Sequence, residues 1–199
     1  MTVGVWIIGA RGNVASVSTT GMVTARDPVA ALDLPAVDGL VFGGHDIRSQ
    51  RIEETTKEMA GHGGVVAPDT LDAVREDLRE IDERVELGTA RRCGEAVEGM
   101  SSETPGDDVS VADIVEEIRA DYAAFADSQE VDRLVVVNAA STEPPIPTPG
   151  DYETLAAFEA AVERDDPNLP ASSLYAYAAL LDGHPYVNFT PSTGSSLGG

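Results

Sequence analysis

Val3-Gly4-Val5-Trp6-Ile7-Ile8 runs directly into Gly9-Ala10-Arg11-Gly12-Asn13-Val14-Ala15, and this junction decides the fold. The first six residues are apolar without alternation, the profile of a strand buried on both faces of a parallel sheet. Asn13 to about Thr24 is small and moderately apolar, consistent with a helix packed closely on that sheet. Glycines between a strand and a helix let the backbone approach a phosphate, and the helix start offers free N–H groups and partial positive charge. The usual dinucleotide fingerprint is G-x-G-x-x-G/A; here Arg11 stands at the middle glycine and Gly12 follows it. A tight turn without a ligand is the plain alternative. Its place after the first strand, with small Ala15 for close helix packing, favours a cofactor.

Strand and helix alternate outward from this junction. Leu40-Val41-Phe42 reads as a second strand ending in Gly43-Gly44-His45-Asp46-Ile47, and Ser49 to Met59 as a polar helix. Asp69 to Leu87 places Leu71, Val74, Leu78, Ile81 and Val85 at helical spacing, which predicts one amphipathic helix capped by Asp69 or Thr70 and stopped by Gly88. Val111 to Asp127 predicts another, with Ser110 as its cap. Gly94 to Asp108 between them reads as a mobile surface excursion. Leu134 to Val137 is the strongest strand in the chain; Pro144, Pro145, Pro147 and Pro149 then interrupt regular structure. Tyr152–Val162 and Ser172–Leu181 read as helices and Tyr186–Phe189 as the last strand. The pattern predicts an α/β, Rossmann-like, doubly wound parallel sheet, in which ligands bind at the carboxyl ends of the strands.

The charge narrows the partners. Thirteen Lys+Arg against 35 Asp+Glu give a net charge of −22, with a pI near 4.2. Phosphate recognition on nucleic acids and attraction to anionic membranes both need Lys and Arg in quantity, so neither partner is expected. No run is long enough to span a bilayer and the N-terminal run lacks a basic leader, which predicts a cytoplasmic protein. All the basic residues except Lys57 are arginine, and the acids are dispersed along the chain. Such a surface is like that of proteins from salt-accumulating halophiles, where molar salt screens the self-repulsion. A merely soluble acidic face is the alternative. The single cysteine, Cys93, allows no internal disulfide and reads as a packed thiol, although Arg91 and Arg92 precede it. No metal-ligand spacing appears, so no metal site is expected.

Two further strand ends carry chemistry. Asp46, past the second strand, is placed to accept hydrogen bonds from the adenosine ribose and to repel a 2′-phosphate; a helix cap is its other reading. It lies farther from Gly9 than the usual twenty or so residues, which predicts an insertion between Pro28 and Asp38. Asn138 to Glu143 and Asn188 to Thr193 are small and hydroxylated, fit to line a nicotinamide and sugar-phosphate cleft or to serve as ordinary loops.

Taken together, four stretches resemble the NAD-binding part of the myo-inositol-1-phosphate synthase family. They are Gly9–Ser16, Phe42–Ile47, Val135–Glu143 and Tyr175–Ser192, the last reading Y-A-Y-A-A-L-L-D-G-H-P-Y-V-N-F-T-P-S against the family's Y-A-x-A-S-I-L … P-Y-x-N-G-S-P. The resemblance implies conversion of glucose 6-phosphate to inositol phosphate, serving phospholipid biosynthesis. In it NAD oxidises C5, enolisation at C6 permits aldol closure onto C1, and the inosose is reduced. It further implies a homotetramer for the full-length protein. By position, Gly9, Ala10, Arg11, Gly12, Asn13 and Val14 would hold the pyrophosphate and Asp46 the ribose. Ala139, Ala140, Ser141 and Thr142 would line the dinucleotide, and Asn188, Thr190, Ser192 and Thr193 would face the nicotinamide and substrate phosphate.

Arg11, Val14 and Phe189 stand where the family's motifs have Gly, Asn and Gly. The family's catalytic lysines and acids lie beyond the last of these motifs. Lys57, the only lysine, falls on a helix expected to face solvent, and of His45, His62 and His184 only His45 is near the inferred cofactor. Residues 1–194 are therefore expected to form the cofactor-binding domain and 195–199 the start of a catalytic segment. Two alternatives stay open: another NAD-dependent sugar-phosphate dehydrogenase or epimerase, with Tyr175 or Tyr177 as base, and a non-catalytic nucleotide-binding protein.

Overall fold

The computed structural model describes residues 1–25, 39–63, 66–101 and 109–197. Five strands form one sheet: β1 (Val3–Ile8), β2 (Leu40–Asp46), β3 (Val85–Leu87), β4 (Arg133–Asn138) and β5 (Tyr186–Asn188). Their order is β3-β2-β1-β4-β5 and every pairing is parallel. The chain thus steps outward from β1 to β3, crosses back over β1, and steps outward again to β5. That reversal places a switch point between β1 and β4 and puts helices on both faces.

The continuous apolar run of β1 follows from this burial. Trp6 and Ile8 enter one core with α6 (Val111–Ser128), α7 (Leu155–Glu163) and α8 (Ala171–Leu181). Ile7 enters the other, with α1 (Asn13–Thr24), α2 (Ile52–Gly63), α3 (Pro68–Ala73) and α4 (Arg75–Asp82). Glycine in β2 serves close packing: a Cβ at Gly43 would stand 2.8 Å from the Phe125 ring of α6. On α6, Val111, Ile114, Val115, Ile118, Tyr122 and Phe125 are all buried, and Ser110 Oγ accepts the Asp113 N–H at 3.0 Å, as the spacing predicts.

The single helix expected from Asp69 to Leu87 is not what forms. It divides at Val74 into α3 and α4, and Val85–Leu87 is strand. The apolar face is real, since Leu71, Val74, Leu78 and Ile81 are buried together. The outer edge of β2 recruits the end of the stretch instead: Gly44 N–H donates to Arg84 O at 3.1 Å and Gly88 N–H to Asp46 O at 2.9 Å. The start differs too, with Pro68 in the first turn and Ala67 rather than Asp69 or Thr70 at the cap. The helix expected over Tyr152–Val162 is a 3₁₀ turn at Pro149–Tyr152 followed by α7.

In the stretch read as a surface excursion, Glu95–Glu98 forms a one-turn helix, α5; residues 102–108 lie outside the described residues, as does the Pro28–Asp38 insertion. Near the end, Gly194–Ser196 makes a 3₁₀ turn with Gly194 buried against Ser172. Among the described residues no helix is long and apolar enough to cross a membrane.

Candidate dinucleotide site

A cleft of about 520 Å³ opens at the carboxyl ends of β1, β2 and β4, at the switch point. The glycine turn forms one side. Gly9 and Ala10 both donate their N–H to His45 O, at 2.9 and 3.1 Å, which ties the end of β1 to β2. Gly9 has φ +78°, and a Cβ there would stand 2.7 Å from Ala140 Cα. Only glycine satisfies both conditions.

Helix α1 then starts at the cleft. No side chain caps it at Gly12 and its first turn holds no acidic residue, while Gly12, Asn13 and Val14 line the cleft. Backbone donors and the positive end of the helix therefore face the space where a pyrophosphate would sit. This donor set fits a dinucleotide.

The residues singled out in the sequence divide. Gly9, Gly12, Asn13, Val14, Asp46, Ala139, Ala140, Ser141, Thr142 and Thr190 line the cleft. Ala10, Arg11, Asn188, Ser192 and Thr193 do not. The Arg11 guanidinium turns away, donating from Nε to Asp82 Oδ1 at 2.9 Å and from Nη1 to Arg48 O at 2.9 Å. Asn188 shapes the following loop from behind: its Oδ1 accepts the Thr190 N–H and hydroxyl, and its Nδ2 donates to Ser192 O at 3.0 Å. Asp46 is buried, with Oδ2 accepting the Arg11 N–H at 2.7 Å and Oδ1 the Arg48 N–H at 2.9 Å.

Several further residues line the cleft without having been given a ligand role, two of them, Glu143 and Phe189, inside the strand-end stretches that the sequence singles out. Glu143, in the loop after β4, is buried and accepts the Ser172 N–H of α8 at 2.7 Å. Burial pushes its carboxyl pKa up, against the lowering effect of its Ser172 bonds. Arg48, Thr89, Val97, Met100 and Phe189 also line the cleft. The only sequence signal for Glu143 is its place at the end of the strand-end motif; Val97 and Met100 lie in the supposed excursion.

Other candidates lose their standing. Burial, then the neighbouring Glu143 carboxylate, pushes the Cys93 thiol pKa up, which makes it a packed group rather than a nucleophile. Burial also raises the Tyr175 phenol, whose oxygen accepts the Thr89 N–H at 2.9 Å, so it is poorly suited to act as a base. Tyr177 lies off the cleft with its hydroxyl toward Glu159. His45 lines the cleft but is locked between Trp6 and Asp121. Lys57 is exposed on α2. The His62 side chain lies outside the described residues.

The NAD-binding family model of myo-inositol-1-phosphate synthase matches residues 29–199, most of the chain. The chain belongs to that family. The inositol-3-phosphate synthase 1 of Bacteroides thetaiotaomicron is 26% identical over 184 residues, covering 91% of this chain and 41% of that protein. The rice inositol-3-phosphate synthase 1 is 32% identical over 78 residues, 39% of this chain and 15% of the other. Among solved structures, the inositol-3-phosphate synthase of Caenorhabditis elegans superposes with a TM-score of 0.77 at 18% identity, over 97% of this chain and 45% of that one. The likeness to that structure is one of fold. This member of the synthase family carries its Rossmann-like, NAD-binding part and spans less than half the length of these relatives. The glycine turn precedes the matched residues, so its assignment rests on the cleft geometry.

Proposed function

We propose that residues 1–194 are the NAD-binding domain of an enzyme that converts glucose 6-phosphate to myo-inositol phosphate. The observation that carries this is the uncapped start of α1, behind a glycine turn at the switch point, in a chain of this family. Bound NAD would supply hydride transfer. The chain's own residues hold it: the first turn of α1 takes the pyrophosphate, the end of β2 the adenosine ribose, and Ala139–Thr142 flank the dinucleotide. Thr190 and the exposed Phe189 ring border the cleft on the β5 side, where the nicotinamide and sugar phosphate would lie.

Closing the ring of a phosphosugar needs cations on the developing oxyanion and on the phosphate. Lys57 does not line the cleft, and Arg48, the one Lys or Arg among the described lining residues, sits at its ribose end, so those groups are assigned to the rest of the synthase, together with the homotetramer contacts. Residues 195–199 would begin that segment. The acidic, lysine-poor composition supports a cytoplasmic protein of a salt-accumulating cell.

Calorimetric titration of the chain with NAD in molar KCl tests the reading. One NAD bound per chain is expected, with no inositol phosphate formed from glucose 6-phosphate by this chain alone. A folded chain that binds no dinucleotide would overturn it.

A further inference from the structure

The ribose end of the cleft does not have the electrostatics of an NAD-only site. Selectivity against a 2′-phosphate normally comes from a carboxylate at the end of β2 that offers both oxygens to the ribose hydroxyls and repels the extra anion. Asp46 occupies that place, but its carboxylate is turned inward and taken up. Oδ2 holds the Arg11 N–H at 2.7 Å, and Oδ1 holds the Arg48 N–H at 2.9 Å and Arg48 Nε at 3.3 Å. With a side chain only 2% exposed and an arginine against it, Asp46 presents little negative charge to the cleft.

Arg48 is what the cleft meets instead. Among the described residues lining the cleft it is the only Lys or Arg, in a protein of net charge −22. Its side chain is 23% exposed, and Nη2 reaches to 3.6 Å from where a Cβ on Gly12 would stand. The guanidinium therefore lies between the end of β2 and the first turn of α1, where the adenosine ribose is placed. Arg11, the other cation of the turn, is committed to Asp82.

We propose that this cleft accepts the 2′-phosphorylated dinucleotide, NADP, alongside NAD, with Arg48 held by Asp46 as the residue that receives the 2′-phosphate. A planar guanidinium pairs with a phosphomonoester through two parallel N–H···O bonds, and Asp46 orients it for that contact. The inference rests on the reading of the cleft as a dinucleotide site.

Calorimetric titration of the full chain with NAD, NADP, 5′-AMP and 2′-AMP tests it. The Kd for NADP is expected within tenfold of that for NAD, and 2′-AMP is expected to bind at least as tightly as 5′-AMP. Arg48→Ala should raise the ratio of Kd for NADP to Kd for NAD at least tenfold, and Arg48→Lys should restore part of it; circular dichroism checks that both variants fold. A wild-type preference for NAD of more than tenfold overturns the proposal. So does an Arg48→Ala variant that weakens both dinucleotides by the same factor, since Arg48 would then serve the pyrophosphate. Binding of NAD without NADP removes this inference alone, whereas binding of neither removes the dinucleotide reading with it.

Discussion

The carboxylate of Glu143 closes over the start of α8 through Ser172, accepting the backbone N–H at Oε1 (2.7 Å) and the hydroxyl at Oε2. Helix α8 has Pro170 at its cap position and no side-chain cap of its own, so the loop after β4 supplies one from 29 residues away. The same loop is tied to the segment after β5, because Glu143 N–H donates to Ser192 Oγ at 3.0 Å. One residue thus holds two strand-end loops and a helix at the edge of the cleft, the helix through its carboxylate and the second loop through its backbone N–H.

Removing that acceptor leaves a buried N–H and hydroxyl without a partner. Glu143→Ala is expected to lower unfolding free energy by about 2 kcal/mol, the usual cost of a buried unsatisfied donor. Urea denaturation followed by circular dichroism measures it; an unchanged midpoint would show that α8 does not depend on Glu143.

Glu143 also predicts a pH dependence. Burial keeps its proton on to a higher pH in the folded chain than in the unfolded one. Between those two pKa values the folded state binds more protons, so stability falls as pH rises from the ordinary carboxylate range through the raised value. Glu143→Gln cannot ionise and should show a flatter profile over that window. Urea midpoints across pH 4 to 8 for both proteins test this, and parallel profiles would count against it.

Arg11 joins three elements. Besides its bond to Asp82 Oδ1, its Nη2 lies 3.3 Å from Asp82 Oδ2, and Asp82 Oδ1 also accepts the Ile52 N–H at the start of α2 (3.2 Å). The Asp82 side chain is 2% exposed. Arg11→Gly, which restores the glycine of the family pattern, leaves that buried carboxylate with Arg51 as its remaining cation, at 3.3 Å. A loss of about 3 kcal/mol is expected, the low end for breaking a buried pair. Arg11→Gly with Asp82→Asn should lose less than the two single changes added, in a double-mutant cycle.

How far the sequence carried depends on how local the cause is. The run Val3–Ile8 was legible because burial on both faces leaves no polar residue in it, and α6 because its buried face repeats on one helix. The end of α4 and β3 were not. Val85 continues the helical spacing of Leu78 and Ile81, and what makes it strand is hydrogen bonding to Gly44 and Asp46, which leaves no mark on three side chains. At the site, the glycine turn announced itself through backbone demands that only glycine meets. The guanidinium of Arg11 could not be placed, because its partner Asp82 is 71 residues away. Glu143 looked like any loop carboxylate until Ser172 was brought beside it.

Trp6, His45 and Asp121 link β1, β2 and α6 in one chain of hydrogen bonds, buried at Trp6 and His45 and partly exposed at Asp121. Trp6 Nε1–H donates to His45 Nδ1 at 2.9 Å, which leaves the ring proton on Nε2, directed at Asp121 Oδ2 at 2.9 Å. Trp6 is 1% exposed, so without an acceptor its indole N–H would be stranded in the core. His45→Leu is therefore expected to cost about 2 kcal/mol despite being more apolar. Asp121→Asn, which keeps a carbonyl acceptor for Nε2–H, should cost less than about 1 kcal/mol. Trp6 is the only tryptophan in the chain, so its fluorescence reports the unfolding midpoint of each variant without a label. Equal midpoints for His45→Leu and the parent would mean that the indole finds another partner and that His45 serves only as packing.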